Sequence, residues 1–291
     1  MKSIEVIKAL AENIRLPKEM QDAVLPLCLM IMDGYVYEYE EIQKDIGNEK
    51  LIAALANKMN SEEDAVMLAV CLMLGADAAD LYEEKGIEKQ VYIDSMRDIT
   101  VWAKTCLKMR GHIGLYEYGW IRNFLTASIV RLHRLEFHII DFREDCEWSK
   151  NGVEVHSGDK VINIHIPEDG PLSHEDAIES YKRAYRYFGC EGYQAFVCGS
   201  WLLYPGNYDF LSERSNIRKF MDDFDIIERN DVRCSNDLWR VFGPCQPFDD
   251  TSKFPKDTEL QRNMIDYLNT HDYVTGWGFG VFLFDGTQIV K

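Results

Sequence analysis

The segment from Lys160 to Phe188, KVINIHIPEDGPLSHEDAIESYKRAYRYF, constrains this chain more than any other, because it prescribes a strand, a tight Gly-Pro loop and a capped amphipathic helix in succession. Ile162, Ile164 and Ile166 alternate with Val161, Asn163 and His165, so one face of the strand is apolar and His165 stands on the other, where it needs a polar partner or a chemical role. Ser173 followed by Asp176 has capping-box spacing, and Ala177, Tyr181, Ala184, Tyr185 and Phe188 form one stripe at helical spacing. The helix is therefore expected to pack back onto its own strand, with a polar loop between them suited to holding a ligand.

The 291 residues, 46% of them hydrophobic, suffice for one large or two ordinary domains with real cores. A formal charge of −17 excludes an ordinary nucleic-acid partner, since phosphate affinity rests on clustered Lys and Arg. The longest apolar run, Ala65 to Leu74, is far short of the ~20 residues of a membrane span, and the amino terminus reads as an amphipathic helix, so no membrane insertion and a cytoplasmic location are expected. Cys28, Cys71, Cys106, Cys146, Cys190, Cys198, Cys234 and Cys245 contain no C-x-x-C pair and no zinc-type His spacing. Scattered reduced thiols, and no metal site, follow.

Helical spacing dominates residues 1–116. Ser61 to Asp64 reads as a cap for the apolar helix AVMLAVCLML, a central buried helix that Gly75 is expected to end. Val91 to Met109 carries a second apolar stripe, broken at Gly111 to Gly114. After Trp120 the period changes. Val130 to Phe142, Gly152 to His156 and Lys160 to Ile166 read as strands, the last two as a hairpin around Ser157-Gly158-Asp159. Then come the Ser173 helix, a strand within Tyr193 to Tyr204, a helical segment from Asp209 to Phe224 with an acidic tail, a strand at Leu238 to Phe242, a helix from Thr258 to Asn269 and a strand from Gly278 to Asp285. The fold class is α+β, an all-α domain at 1–116 followed by a mixed sheet with flanking helices at 117–291.

Five phrases go further: Leu135-Glu136-Phe137; Asn163-x-His165-Ile166-Pro167-x-x-Gly170-Pro171-Leu172; Ser200-Trp201-Leu202-Leu203-x-Pro205; Ser215-Asn216-Ile217-x-x-Phe220; and Thr258-x-Leu260-Gln261-Arg262. Together, across Trp120 to Asp285, they resemble the GNAT-like carboxy-terminal domain of the acyltransferase domain-containing proteins, whose amino-terminal domain is all-helical. The resemblance implies two adjacent strands, Lys160 to Ile166 and Gln194 to Tyr204, that splay apart to admit the pantetheine arm of an acyl-coenzyme A. It implies transfer of the acyl group to a small amine or hydroxyl acceptor, with His165 as general base, Tyr204 as the acid that reprotonates the thiolate, and Glu168 as a second base. Glu136, His138, Asn163, Ser200 and Trp201 then line the acceptor cleft.

One feature departs from the wider acetyltransferase pattern. The turn Pro167 to Asp176 has two prolines and four carboxylates where a Gly-rich phosphate cradle belongs, so by charge it repels a pyrophosphate. Gly170, Arg214, Ser215, Asn216 and Arg218 are the residues left to hold the cofactor. The same turn supports a rival, a small-molecule-binding or regulatory module on this fold that has lost coenzyme A. A hydrolase using Ser200 is disfavoured, because Cys198-Gly199-Ser200 lacks the G-x-S-x-G elbow.

Overall fold

The computed structural model describes residues 1–233, 236–245 and 250–290. It contains two compact units, one of Met1–Leu132 with Pro167–Asp169, the other of His133–Ile166 with Gly170–Lys291.

The first unit holds α1 (Ile4–Asn13), α2 (Lys18–Gly34), α3 (Val36–Lys44), α4 (Glu49–Met59), α5 (Glu63–Glu84), α6 (Lys89–Arg110), α7 (Tyr118–Leu125) and the short strand β1 (Val130–Leu132). Apolar all round, α5 has no face to give to water, and α1, α2, α4, α6 and α7 surround it. By length and composition it could cross a membrane, but most of it is buried inside this unit. Gly75 does not end it. The missing side chain instead lets Leu10 and Ile99 close in, each 3.2 Å from where a Cβ would stand, and the Gly75 carbonyl accepts the Tyr92 hydroxyl at 2.8 Å. Nor does Ser61 cap it: the helix starts after Glu62 without a side-chain cap, and the Asp64 carboxylate is taken by Arg110 and His112.

The second unit contains β2 (Leu135–Asp141), β3 (Trp148–Lys150), β4 (Val153–Val155), β5 (Lys160–His165), α8 (His174–Tyr187), β6 (Gln194–Ser200), α9 (Asn216–Met221), β7 (Asp225–Arg233), α10 (Trp239–Phe242), α11 (Glu259–Thr270), β8 (Val274–Phe284) and β9 (Ile289–Val290). Its main sheet runs β2-β5-β6-β8-β7, with β9 beside β8. β5 and β6 pair in parallel, and the other pairs are antiparallel. The helix α8 is the crossover that a parallel pair requires. Its Ala177, Tyr181 and Ala184 are fully buried, and Tyr181 packs on Phe196, Phe282 and Phe284.

Several expected elements change. The strand drawn through Val130 to Phe142 is broken at His133, whose φ is 70°. β4 pairs with β3, not β5, because β5 finds a longer partner in β2 and forms six register pairs with it. The Ser157-Gly158-Asp159 turn closes that ladder, with Phe142 N donating to Asp159 O at 2.7 Å. Leu238 and Phe242 form no strand: both are buried at helical spacing, in a 3-10 turn and α10. The acidic tail hides β7, an edge strand whose charges suit an exposed edge. Among the described residues every cysteine is a free thiol, and Cys234 lies outside them.

β6 stops at Ser200, short of the expected Tyr204, and two 3-10 turns follow, Trp201–Leu203 and Pro205–Asp209. The first lies over β8 so closely that a Cβ on Gly278 would stand 2.1 Å from the Leu203 carbonyl oxygen. Backbone cannot yield as a side chain can. Gly278→Ala is therefore expected to cost about 3 kcal/mol in chemical denaturation, and an unchanged midpoint would show that the turn is not seated there.

Candidate functional site

The antiparallel register of β2 and β5 sets Glu136 opposite His165 and His138 opposite Asn163. With side chains alternating along each strand, all four stand on one face of the sheet. The Asn163 Nδ2 lies 2.9 Å from His138 Nε2 and 3.1 Å from His165 Nε2, and the two Nε2 atoms are 3.2 Å apart. Glu136 is buried, while the two imidazoles and Asn163 are partly so.

Pairing between β5 and β6 is confined to Ile162–Phe196 and Asn163–Val197. Ile164 and His165 on one strand, and Cys198 to Ser200 on the other, continue beyond that ladder without pairing to each other. The strands part there. On the β5 side Pro167 brings no N–H to extend a ladder, and on the β6 side the Ser200 hydroxyl accepts Leu202 N at 3.1 Å and starts the 3-10 turn. Val197 and Gly199 share the His165 face, and Gly199 is exposed.

Burial, with His138 beside it, pushes the His165 imidazole down to about 3, and burial also lowers His138. His165 is thus a neutral imidazole at pH 7, the form a base needs. The unfolded chain takes a proton there below its ordinary value of ~6.5 and the folded chain does not, so the site's contribution to stability is present above ~6.5 and is lost as pH falls toward 3. Wild type is expected to lose about 3–5 kcal/mol more than His165→Gln across that window, read as the difference between their denaturation curves. Parallel curves would show that His165 is not held neutral.

The other sequence candidates fall elsewhere. Ser200 alternates onto the opposite face from Gly199 and serves as a cap, and Trp201 sits half-buried in the first 3-10 turn. Tyr204 is buried, donates to Asp231 Oδ1 at 2.7 Å and accepts from Arg229 at 3.1 Å, and burial raises its phenol so that it stays protonated. Ser215 is the N-cap residue of α9 without a side-chain capping bond, Asn216 and Arg214 are exposed, and Arg218 donates to Leu211 O at 3.1 Å.

The acidic turn changes character once folded. In the first unit Glu168 pairs with Lys108 Nζ at 3.0 Å, and Asp169 meets the buried Arg131 at 2.7 Å and Arg97 at 3.9 Å. In the second unit Asp176 takes His133 Nε2 at 2.9 Å and the Ser173 hydroxyl at 2.6 Å. Arg134 donates to the carbonyls of Gly170 and Pro171 at 2.7 and 3.0 Å. Glu168 and Asp169 are therefore paired with basic side chains, which offsets part of the repulsion the turn's sequence implied. Gly170 has a φ of 148° and open space where a Cβ would stand.

Two clusters were not legible from spacing. His174 Nε2 lies 2.8 Å from Asp223 Oδ1, and the buried Tyr181 hydroxyl donates to Asp223 Oδ2 at 3.2 Å. This pair borders a cavity of about 830 Å³, also lined by Lys219, Asp222 and Asp285. In the first unit Asp64, Cys106 and His112 bring ligand-type atoms within 4.8 Å of one another. Arg110 already holds both Asp64 oxygens at 2.8 and 2.7 Å, so that carboxylate is neutralised by an ion pair. Residues more than forty apart make both clusters, which no local motif announces.

The profile of the GNAT-like C-terminal domain matches residues 129–282, and that of the N-acyltransferase N-terminal domain matches residues 5–127. No curated protein matches the chain. Among solved structures, an acyltransferase in complex with decanoyl-CoA and teicoplanin has a TM-score of 0.69 at 17% identity, over 94% of this chain and 86% of that one. A mutant acyltransferase in complex with octanoyl-CoA gives 0.70 at 16%, over 95% and 87%. An acyltransferase in complex with CoA and 10C-Teicoplanin gives 0.69 at 16%, over 94% and 86%. At such identities these likenesses establish the fold.

Proposed function

Because the chain belongs to the family that joins an N-acyltransferase N-terminal domain to a GNAT-like C-terminal domain, we propose that it transfers an acyl group from coenzyme A to a small amine or hydroxyl acceptor. The observation that carries this reading is the end of the β5–β6 register at Asn163 and Val197, with His165 just beyond it on β5. Where the register between two neighbouring strands ends, an extended amide chain such as pantetheine can lie between them. Acyl-CoA in the structural neighbours supports the same substrate class, and an acyl chain of about eight to ten carbons is the first to try.

In this reading His165 removes the proton from the acceptor as its nitrogen or oxygen attacks the thioester carbonyl. The new C–N or C–O bond forms, the C–S bond breaks, and the thiolate leaves with a proton from Tyr204 or the medium. Glu136, His138 and Asn163 shape the polar wall beside the base. Ser200 and Trp201 shape the start of the turn that ends β6. Glu168 anchors the loop through Lys108 instead of acting as a second base. Gly170, with Arg214, Ser215, Asn216 and Arg218 around the start of α9, is the group we assign to the diphosphate and nucleotide end. The acidic turn favoured a module without a cofactor, and the pairing of Glu168 and Asp169 with basic side chains weakens that argument.

Octanoyl-CoA incubated with a panel of amines, amino sugars and hydroxyl compounds, followed by mass spectrometry, tests the reading. An acylated product released with stoichiometric CoA is expected. Thermal stabilisation by panel compounds with no response to octanoyl-CoA and no product would replace the enzyme by a binding module.

A further inference from the structure

Within the helical unit a carboxylate, a thiol and an imidazole meet in a way that the transfer reaction leaves unused. Asp64 stands in the first turn of α5, Cys106 in the last turns of α6, and His112 just after Gly111, whose φ of 77° ends α6. The segment that follows is pressed onto the start of α5: Leu115 N donates to Asp64 O at 2.9 Å, and a Cβ on Gly114 would stand 2.5 Å from the Asp64 Cβ. His112 is thereby set beside the carboxylate, its Nε2 2.8 Å from Asp64 Oδ2, and Cys106 Sγ lies 3.7 Å from the same oxygen. All three donor atoms are within 4.8 Å of one another. A tetrahedral zinc ion holds such donors at about 2.0–2.3 Å and so spaces them about 3.3–3.7 Å apart, within reach of shifts of about 1 Å. Glu62 Oε1, on an exposed side chain 4.0 Å from His112 Nε2, is near enough to become a fourth ligand. One group opposes an ion here. Arg110 Nη1 donates to both Asp64 oxygens, at 2.8 and 2.7 Å, and its charge repels a cation. Its hold is one nitrogen shared by two oxygens, not the two parallel bonds of a fork. The half-exposed guanidinium also lies over the Tyr116 ring at 4.0 Å, a support it keeps when it turns from the carboxylate to water.

We propose that Asp64, Cys106 and His112 form a structural metal site of the zinc class, with Arg110 as the occupant that the ion displaces. Without metal, His112 Nε2–H and the Cys106 thiol both donate to Asp64 Oδ2, and Arg110 balances the carboxylate charge. As the ion enters, the metal–sulfur bond forms and the Cys106 proton passes to solvent. The His112 proton moves to Nδ1, so that the Nε2 lone pair faces the metal. Asp64 and the new thiolate balance a dication as Arg110 balanced the carboxylate, so the net charge of the site is zero in both states. Burial, with Asp64 beside it, otherwise keeps this thiol protonated by raising it to about 12, and coordination is what makes it a ligand. Sulfur with imidazole nitrogen selects zinc over magnesium or calcium, which want oxygen alone. The bound ion ties the start of α5 to the end of α6 and to the 111–115 segment. Sequence spacing could not show this, since Cys106 and His112 lie 42 and 48 residues from Asp64.

Cobalt spectroscopy on the full chain, stripped of metal with a chelator, tests this without any turnover. Wild type titrated with Co²⁺ is expected to develop a thiolate-to-cobalt charge-transfer band in the near ultraviolet and the intense visible bands of a tetrahedral ion, saturating at one Co²⁺ per chain and erased by Zn²⁺. Cys106→Ser is expected to lose the charge-transfer band. His112→Gln, at a half-exposed position that tolerates the change, is expected to weaken Co²⁺ binding at least about 10-fold. Arg110→Gln removes the competing charge and no ligand, so it is expected to bind Co²⁺ about 10-fold tighter. No charge-transfer band in wild type, or the same band in Cys106→Ser, overturns the site. Full affinity in His112→Gln, or an affinity in Arg110→Gln no tighter than wild type, overturns the ligand set and the displacement on which it depends.

Discussion

Replacing His165 with glutamine is expected to lower acyl transfer about 10²–10⁴-fold, with the fold intact and octanoyl-CoA binding retained. Glutamine keeps an amide that can meet Asn163 and His138 but cannot accept a proton at neutral pH. The effect should appear in kcat more than in KM, because the lost interaction exists only while the acceptor's proton is in flight. Burial keeps His165 neutral down to about 3, so the acid limb of the wild-type rate profile should not carry the ordinary histidine titration near ~6.5. A variant that transfers octanoyl groups at the wild-type rate would remove His165 from the chemistry.

Phe196→Ala is the substitution expected to cost the most stability. Phe196 is fully buried and stacked on Phe282 at 5.2 Å and 5°, and it meets Phe137, Tyr181 and Phe284 around its edge. Truncation leaves a large cavity among aromatic rings too rigid to fill it, for a loss of about 3–5 kcal/mol. Phe196 also faces Ile162 in one of the two register pairs that join β5 to β6. Loosening that hinge should weaken octanoyl-CoA binding as well as the fold. Denaturation and calorimetric titration on the same preparation would show the two losses together, and a loss of less than ~1 kcal/mol would mean that this core repacks freely.

Much of the second unit was readable because local patterns there agree with tertiary packing. Ile162 and Ile164, the Ser173 cap and the stripe at Ala177, Tyr181 and Ala184 took their expected places. The errors arose where one residue type serves two purposes. Gly75 stops helices in general, yet here it makes room for Leu10 and Ile99. The charges of β7 look like a solvated tail and belong to an edge strand. The site was legible as residue types and not as partners. Period-two alternation put Glu136 with His138 and Asn163 with His165, but only the β2–β5 register sets the two pairs face to face. Likewise the turn's carboxylates were visible, while Lys108, Arg131 and Arg97, which pair with Glu168 and Asp169, lie far away in sequence.

Hydrogen exchange with and without octanoyl-CoA addresses the slot itself. Ligand is expected to slow exchange at 164–165 and 198–200, on β5 and β6 beyond the last shared pair, and His165→Gln is expected to retain this protection while losing turnover. Binding that leaves those amides as exchangeable as before and protects another region would contradict the slot.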